Sequence, residues 1–467
     1  MKRILSILLA AVIMASVFPA MPSYAASEVP KLEAESAMVI DMTTGDVLYK
    51  LDENEMRYPA STTKMVTGIL AIEKLDFKST LTADQEVAAT LGTSLKLKDG
   101  EEINAWDALN AMMVGSCNDC AVLIAKAIAG SVYEFVNMMN AKLAEIGVTA
   151  THFTNPHGLH EDDHYSCASD LAKIAMYCME NETFRQIVRQ GDYTVPATNK
   201  TEQRVVDSTN LLIKDENDTN RIYVDNVLRY CKYPGVFGIK TGYTKAAGGC
   251  LISAAEKDGT KIMCIILKSS SMGRFADSIK LLDWGFNNFR TIQCAHAGDV
   301  LEDTVAVKRG AFNKVGVKIR DDIFYTIPSE ASDSIITTRL VLEESVKAPV
   351  EEGQVLGTLE VYESGLKVGA TDVLATDTVE KGGILSIFGI EDATARKIWL
   401  GITLFIFLLI AALAAYVIVK RRQIARKKAA RAAKLKARQE AEERRRQLWS
   451  RSYDQEKYGR TFDDDQK

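Results

Sequence analysis

The sequence predicts an α+β fold: an antiparallel sheet packed with helices, then a small all-β domain and a single C-terminal transmembrane helix. Three observations predict it. Strand-like runs open and close the first 290 residues with helical patterns between them, the order expected when an antiparallel sheet carries helices. Between Leu301 and Val379 the pattern changes to short alternating runs punctuated by glycines. Finally, Ile398 to Val419 contains no charged residue.

Taken in order, ESAMVIDMTTGDVLY from Glu35 to Tyr49 reads as two short strands around the turn Thr43-Thr44-Gly45-Asp46. Apolar residues at helical spacing follow at 62–75, 105–114, 119–129, 132–146 and 168–180. Val236–Lys240, Gly249–Ala255 and Lys261–Leu267 read as strands, the last two joined at Lys257-Asp258-Gly259. SIKLLDWGFNNF, from Ser278 to Phe289, is an amphipathic helix. In the next region Thr304–Val307, Val315–Ile319 and Ile335–Leu342 alternate as strands do, and Gly353, Gly357, Gly365 and Gly369 punctuate its second half. Two roles are expected of such a domain: holding the preceding domain at a set height above the membrane, or binding a partner.

The ends of the chain are specialised. MKRILSILLAAVIMASVFPAMPSYAAS has a basic start, an apolar stretch and small residues at Ala25 and Ala26, the pattern of a cleaved secretory signal. The apolar run Ile398–Val419 extends roughly 33 Å as a helix, enough to cross a hydrocarbon core of about 30 Å. Trp399 and Tyr416 lie near its ends, where interfacial aromatics sit. From Lys420 to Lys467 there are 17 Lys+Arg against 8 Asp+Glu, so this tail carries +9 and the rest of the chain −14 of the total −5. The positive-inside rule therefore puts the tail in the cytoplasm and residues 27–397 outside. The resulting division is a signal peptide over 1–26, the α+β domain over 27–290 and an all-β domain over 291–380. A juxtamembrane linker over 381–397, a spanning helix over 398–419 and a basic tail over 420–467 complete it. The tail's composition fits anionic lipid better than nucleic acid, and no nucleic-acid role is expected.

Eight cysteines in an exported chain permit disulfides, but their spacing forms no dense framework. Cys117-Asn118-Asp119-Cys120 lacks the strand-then-helix context of a redox pair. His152, His157, His160 and His164 cluster without a second ligand pair at zinc spacing. Interleaved with Asn155-Pro156 and Gly158, they read as a turn-rich loop. No metal and no cofactor are expected.

Three short motifs carry the chemistry. PASTTKMVTG places Ser61 three residues before Lys64 at a helix opening, so the two share a face. Ser116-Cys117-Asn118 lies between two helical segments, and Lys240-Thr241-Gly242 ends one strand. Each motif is common alone, and Ser61 or Ser116 could serve merely as a helix cap. Ser-x-x-Lys, Ser-x-Asn and Lys-Thr-Gly in this order form the signature of penicillin-recognising serine acyl enzymes. With MMVGSCNDCA, FTNPHGLHEDDHYSCASDLAKIA, GVFGIKTGYTKAAGGCLISAA and GRFADSIKLLDWGFNNF, the chain resembles the low-molecular-weight penicillin-binding proteins, the serine-type D-alanyl-D-alanine carboxypeptidases. The resemblance covers residues 30–290 closely and extends more loosely to a second, β-rich domain. It implies a β-lactamase/DD-peptidase-like catalytic domain.

A serine hydroxyl attacks only once its proton is removed, and Lys64 can take it only when neutral. Burial beside a second cation such as Lys240 favours that state. By resemblance, Ser61 is the nucleophile, Lys64 the base and Ser116 a proton relay to the departing D-alanine. Asn118 would hydrogen-bond the substrate backbone. The backbone N–H groups of Ser61 and Tyr243 would form the oxyanion hole. Lys240, Thr241 and Arg274 would grip a terminal carboxylate, with Gly242 completing the strand motif. The implied partners are stem peptides of peptidoglycan ending in D-Ala-D-Ala, and β-lactams as covalent inhibitors. Two other readings use the same pocket. A class A β-lactamase adds a Glu-x-x-Leu-Asn element, and no Leu-Asn pair occurs between Asn118 and Lys240. A membrane sensor would signal through the tail, where no signalling motif is evident.

Overall fold

The structure is a computed structural model and describes residues 27–214 and 220–458. The expected signal segment over 1–26 lies outside them. Within the described residues the chain divides into two compact units. One holds the chain up to Asp299 with Ile319–Val341 and Thr358–Asp372; the other holds Val300–Lys318, Leu342–Gly357 and the chain from Val373 onward.

The first unit is built on a five-stranded sheet. Its strands are β1 (Ser36–Asp41), β2 (Val47–Leu51), β3 (Val236–Thr244), β4 (Gly248–Lys257) and β5 (Thr260–Ser269). They are ordered β2-β1-β5-β4-β3, with every neighbouring pair antiparallel. Both faces are covered, which is why the central strands read as near-continuous apolar runs. Met38, Ile40, Ile252, Met263 and Ile265 face one core; Ala37, Val39, Leu251, Ile262 and Cys264 face the other. That alternation is the period of two of a pleated strand.

The first face packs against α1 (Lys64–Lys74), α2 (Ala105–Val114), α3 (Asn118–Ala129), α4 (Val132–Ile146) and α5 (Ala168–Glu180). The second face is covered by α6 (Gly273–Asn288), through Phe275, Ile279 and Leu282. The sequence places this last helix from Ser278; it begins five residues earlier. Gly273-Arg274 is a poor helix opening by propensity, yet Ser270 Oγ accepts the Gly273 N–H at 2.9 Å and fixes the turn. The Asp277 carboxylate, fully buried, accepts the N–H groups of Glu33 and Ala34 and the Ser269 hydroxyl. It ties the start of the described chain to α6.

Two hairpins were not legible in the sequence: Asp192–Val195 with Arg204–Asp207, and Arg221–Val224 with Val227–Tyr230. The first is locked by Arg204, which pairs with the fully buried Glu101 and donates to the Leu95 carbonyl.

The three runs expected at Thr304–Val307, Val315–Ile319 and Ile335–Leu342 lie in the strands Val300–Lys308, Lys314–Ile319 and Ile336–Leu342. Val355–Glu363 and Leu366–Ala375 are two further strands, and they take Gly357 and Gly369 into their interiors, so only Gly353 and Gly365 mark turns. In the second unit, Val300–Lys308 pairs antiparallel with Lys314–Ile319 and parallel with Ser345–Lys347. The expected juxtamembrane linker is ordered. Gly382 N–H donates to the Arg309 carbonyl, Gly383 N–H to the Asp392 carboxylate, and Asp392 N–H to the Ala311 carbonyl. One helix, α7, then runs unbroken over Asp392–Tyr458 and contains the uncharged run. Its apolar part is fully exposed to the surroundings, as fits a membrane-spanning helix.

Candidate active site

Ser61 sits in a single 3-10 turn, Ala60–Thr63, that feeds directly into α1 at Lys64. No side chain caps this start, so the helix-cap account of Ser61 fails. Its hydroxyl donates instead to the His157 carbonyl at 3.3 Å. Thr62 and Thr63 brace the turn by donating to the Pro59 and Ala60 carbonyls. His164 adds to this brace. Its Nδ1 accepts the Thr154 N–H, which leaves the proton on Nε2, 2.7 Å from Thr63 Oγ1. Burial and the neighbouring histidines bring its pKa down to about 3, so the ring is neutral at pH 7.

Lys64 is 0% exposed. Its Nζ lies 2.9 Å from Ser61 Oγ, 2.7 Å from Asn118 Oδ1 and 2.7 Å from the His157 carbonyl. Burial, and then the charge of Lys240, hold its pKa well below the ordinary lysine value. Each favours the neutral amine that a base must be. Asn118 opens α3, and its amide donates to the Leu91 carbonyl at 2.7 Å. The tight approach requires Gly92, whose φ is +89° and whose Cβ, if present, would lie 2.5 Å from Asn118 Nδ2.

Ser116 precedes α3 with φ +61°. The cap position belongs to Cys117, so Ser116 does not cap the helix either. Its Oγ accepts from Lys240 Nζ at 3.1 Å. Lys240 is 1% exposed, and its pKa is brought down to about 7 by burial and by the charge of Arg274. Thr241 hydrogen-bonds Thr209. Gly242 faces the nucleophile turn so closely that a Cβ would stand 3.0 Å from the Pro59 oxygen and the Ser61 nitrogen. The next residue, Tyr243, is exposed. Arg274, in the first turn of α6, donates from Nη1 to the Gly242 carbonyl at 2.7 Å, while its buried Nε has no partner.

The fold thus unites Ser61, Lys64 and Asn118 by direct hydrogen bonds, and Ser116 with Lys240. Gly242 lies against the Ser61 turn, and Arg274 holds Gly242. What sequence reasoning missed is the loop from Asn155 to Leu159. Asn155, 5% exposed, accepts the Gly158 N–H at 2.7 Å and donates to the Leu159 carbonyl, so the His157 carbonyl turns toward Ser61 and Lys64. Gly158 has φ +84°, and a Cβ there would fall 1.9 Å from the Ala60 oxygen. Asn-Pro-His-Gly is legible as a turn; a contact to Ser61 and Lys64 made by a backbone oxygen has no letter.

Among the described residues, Cys117, Asp119 and Cys120 form a cluster of metal-ligand type. Metal binding is a poor fit there. The Asp119 carboxylate already accepts from Ser94 Oγ and the Leu95, Leu97 and Cys120 N–H groups, and burial holds the Cys120 thiol well above its ordinary pKa. The cluster instead pins residues 94–97 beside the cleft. All eight cysteines are free thiols.

Comparison with known proteins agrees with this geometry. Residues 23–271 match the family model described as D-alanyl-D-alanine carboxypeptidase, and residues 289–381 match the C-terminal domain of penicillin-binding protein 5. D-alanyl-D-alanine carboxypeptidase DacF of Bacillus subtilis is 31% identical over 83% of this chain and 97% of its own length. DacD of Salmonella typhimurium is 28% identical over 77% of this chain and 90% of its own. The solved structure of penicillin-binding protein 5 from Haemophilus influenzae aligns with a TM-score of 0.62 at 27% identity, covering 76% of this chain and 99% of that one. A serine whose hydroxyl meets a buried lysine, set in this sheet and matched along most of the chain, places the protein in the D-alanyl-D-alanine carboxypeptidase family of serine peptidases.

Proposed function

We propose that the protein removes the terminal D-alanine from peptidoglycan stem peptides ending in D-Ala-D-Ala, through an acyl-enzyme on Ser61. The observation that carries this reading is the 2.9 Å contact between Ser61 Oγ and a fully buried Lys64 Nζ. Neutral Lys64 takes the hydroxyl proton as Oγ attacks the carbonyl of the penultimate D-alanine. The backbone N–H groups of Ser61 and Tyr243 receive the developing oxyanion. Lys64 returns the proton through Ser116 to the departing amine, and Lys240, 3.1 Å from Ser116 Oγ, biases that path with its charge. Water then hydrolyses the Ser61 ester.

Specificity for a free C-terminus comes from Lys240, Thr241 and Arg274, whose donors suit a carboxylate. Arg274 also holds the Gly242 carbonyl and so keeps the strand edge, Gly242 included, in register with the bound peptide. Asn118 orients the peptide backbone, and the His157 carbonyl positions Lys64. A β-lactam presents the same carboxylate and a strained carbonyl, so it acylates Ser61 and leaves slowly. Helix α7 anchors the protein, with the catalytic domain outside the cell membrane and the basic tail in the cytoplasm. The test is turnover: a peptide ending in D-Ala-D-Ala should release many equivalents of D-alanine per enzyme. Release of one equivalent or none would overturn the hydrolytic reading.

A further inference from the structure

In the second unit a cavity of about 650 Å³ opens beside the start of α7. Three cations line it, Arg309, Lys347 and Lys381, together with the apolar Pro349, Ile384 and Ile387. All three cations are exposed, and none takes part in an ion pair among the described residues. An apolar ridge borders the cavity: Ile384 is 82% exposed and Phe388 77%, and Ile387 and Phe312 are exposed as well. Isolated exposed apolar residues mean little, but a cluster of large ones calls for a partner.

This surface is fixed rather than dangling. Gly382 is bonded to Arg309 and Gly383 to Asp392, and Asn313 Nδ2 donates to the Gly389 carbonyl at 2.8 Å. Ser386, 3% exposed, donates from its hydroxyl to the Gly383 carbonyl at 2.6 Å and closes the short turn Ile384–Phe388. The ridge therefore holds its position relative to the first residue of α7. From Asp392 to Ile398 the helix rises only about 9 Å. A headgroup layer is about 5 to 8 Å deep on each side. On an upright helix Asp392 would stand just outside that layer, and a tilt of α7 toward this face would bring the cations to the phosphates and the apolar ridge toward the acyl boundary.

We propose that this face is an anionic-lipid site: the phosphate of a membrane phospholipid sits among Arg309, Lys347 and Lys381, and Ile384, Ile387 and Phe388 insert beside its chains. The pairing of a cationic cavity with an adjoining apolar ridge matches the chemistry of one lipid molecule, charged at one end and apolar at the other. Two acidic side chains share this face, and both are engaged: Asp392 accepts the N–H of the lining Gly383, and Glu391 accepts the Asn313 N–H. The site would hold the protein against one leaflet and restrict the tilt of the unit on its helix.

The test uses the full-length chain, carrying the photoreactive residue p-benzoyl-phenylalanine at Phe388, in vesicles of phosphatidylglycerol or of phosphatidylcholine. Irradiation and mass spectrometry read covalent lipid adducts. The same residue at Leu408, inside the apolar run, reports the anchor on its own; at Tyr133, exposed on α4, it reports background. The expected result is a lipid adduct at Phe388 several-fold stronger with phosphatidylglycerol, and a loss of that preference in R309Q/K347Q/K381Q. Adducts at Leu408 but none above background at Phe388 would overturn the site while leaving the anchor standing. Equal yields in both lipids would overturn its anionic character. Failure at Leu408 as well would remove the anchor itself and the site with it. Because the readout is lipid attachment, it is independent of peptidase activity.

Discussion

The cleft and the face beside α7 break the same rule in opposite directions. In the cleft, Lys64 and Lys240 are charged-type side chains with 0% and 1% exposure, although lysine is among the residues least often buried. Beside α7, Ile384 and Phe388 are 82% and 77% exposed, although such residues usually fill cores. A buried lysine costs stability unless its proton leaves, and exposed isoleucine gains nothing from water. Each region makes sense only once a partner is added, a peptide in one case and a lipid in the other. The comparison teaches that function is written where the inside-outside rule fails, and that the sign of the failure names the kind of partner.

The comparison can be broken most severely at Lys64. Lys64→Met should lower acylation by roughly 10⁴-fold or more. Its effect on stability should stay within about 2 kcal/mol, because relief of burial offsets the lost bonds to Asn118 and His157. Stopped-flow acylation and thermal melts check both numbers; an equal collapse of both would make Lys64 a structural residue. Gly158→Ala should come next. The left-handed φ and the 1.9 Å approach to the Ala60 oxygen leave no room, so the loop must move. Stability should fall by about 2 kcal/mol or more, and acylation by roughly 10²-fold.

A pH profile sharpens the contrast. Lys240 holds its proton below about pH 7 and releases it above. For a peptide with a free carboxylate, kcat/KM should therefore fall as pH rises through about 7, since that ratio reports the free enzyme. The C-terminal amide of the same peptide should bind weakly throughout and lack this limb. Arg274→Gln removes one of the causes that depress Lys240 and should move the limb to higher pH. It should also raise KM by about 10-fold, as loss of a charged hydrogen bond does. The smallest effect belongs to the other region. Triple replacement of Ile384, Ile387 and Phe388 by serine should change stability in detergent by no more than about 0.5 kcal/mol; a core cluster of that size would cost many times more.

Much of this was legible in the sequence, for a physical reason. Ser61, Lys64, Ser116, Asn118 and Lys240 carry their chemistry in side chains, so spacing and residue type reveal them. The central strands and α1 to α5 were legible because two buried faces impose strong apolar periodicity. The start of α6 was not, since Gly273-Arg274 is poor in helix propensity and is held by Ser270. The hairpin over 192–207 was hidden because its stability comes from a distant pair, Arg204 with Glu101. The His157 carbonyl was invisible in principle: any residue supplies a backbone oxygen, and only Asn155 and Gly158 hint at where this one points. The ordered turn Ile384–Phe388 was read as linker because its partners, Arg309 to Asn313, lie some seventy residues back in the chain.

The most direct measurement is intact-protein mass spectrometry after exposure to benzylpenicillin, with peptide mapping. One adduct per chain, located on Ser61, absent from Ser61→Ala and formed at least about 10³-fold more slowly in a folded Lys64→Met, is the outcome expected of a hydroxyl that gives its proton to a buried amine. An adduct that persists in Ser61→Ala, or one that forms at the normal rate without Lys64, would contradict it.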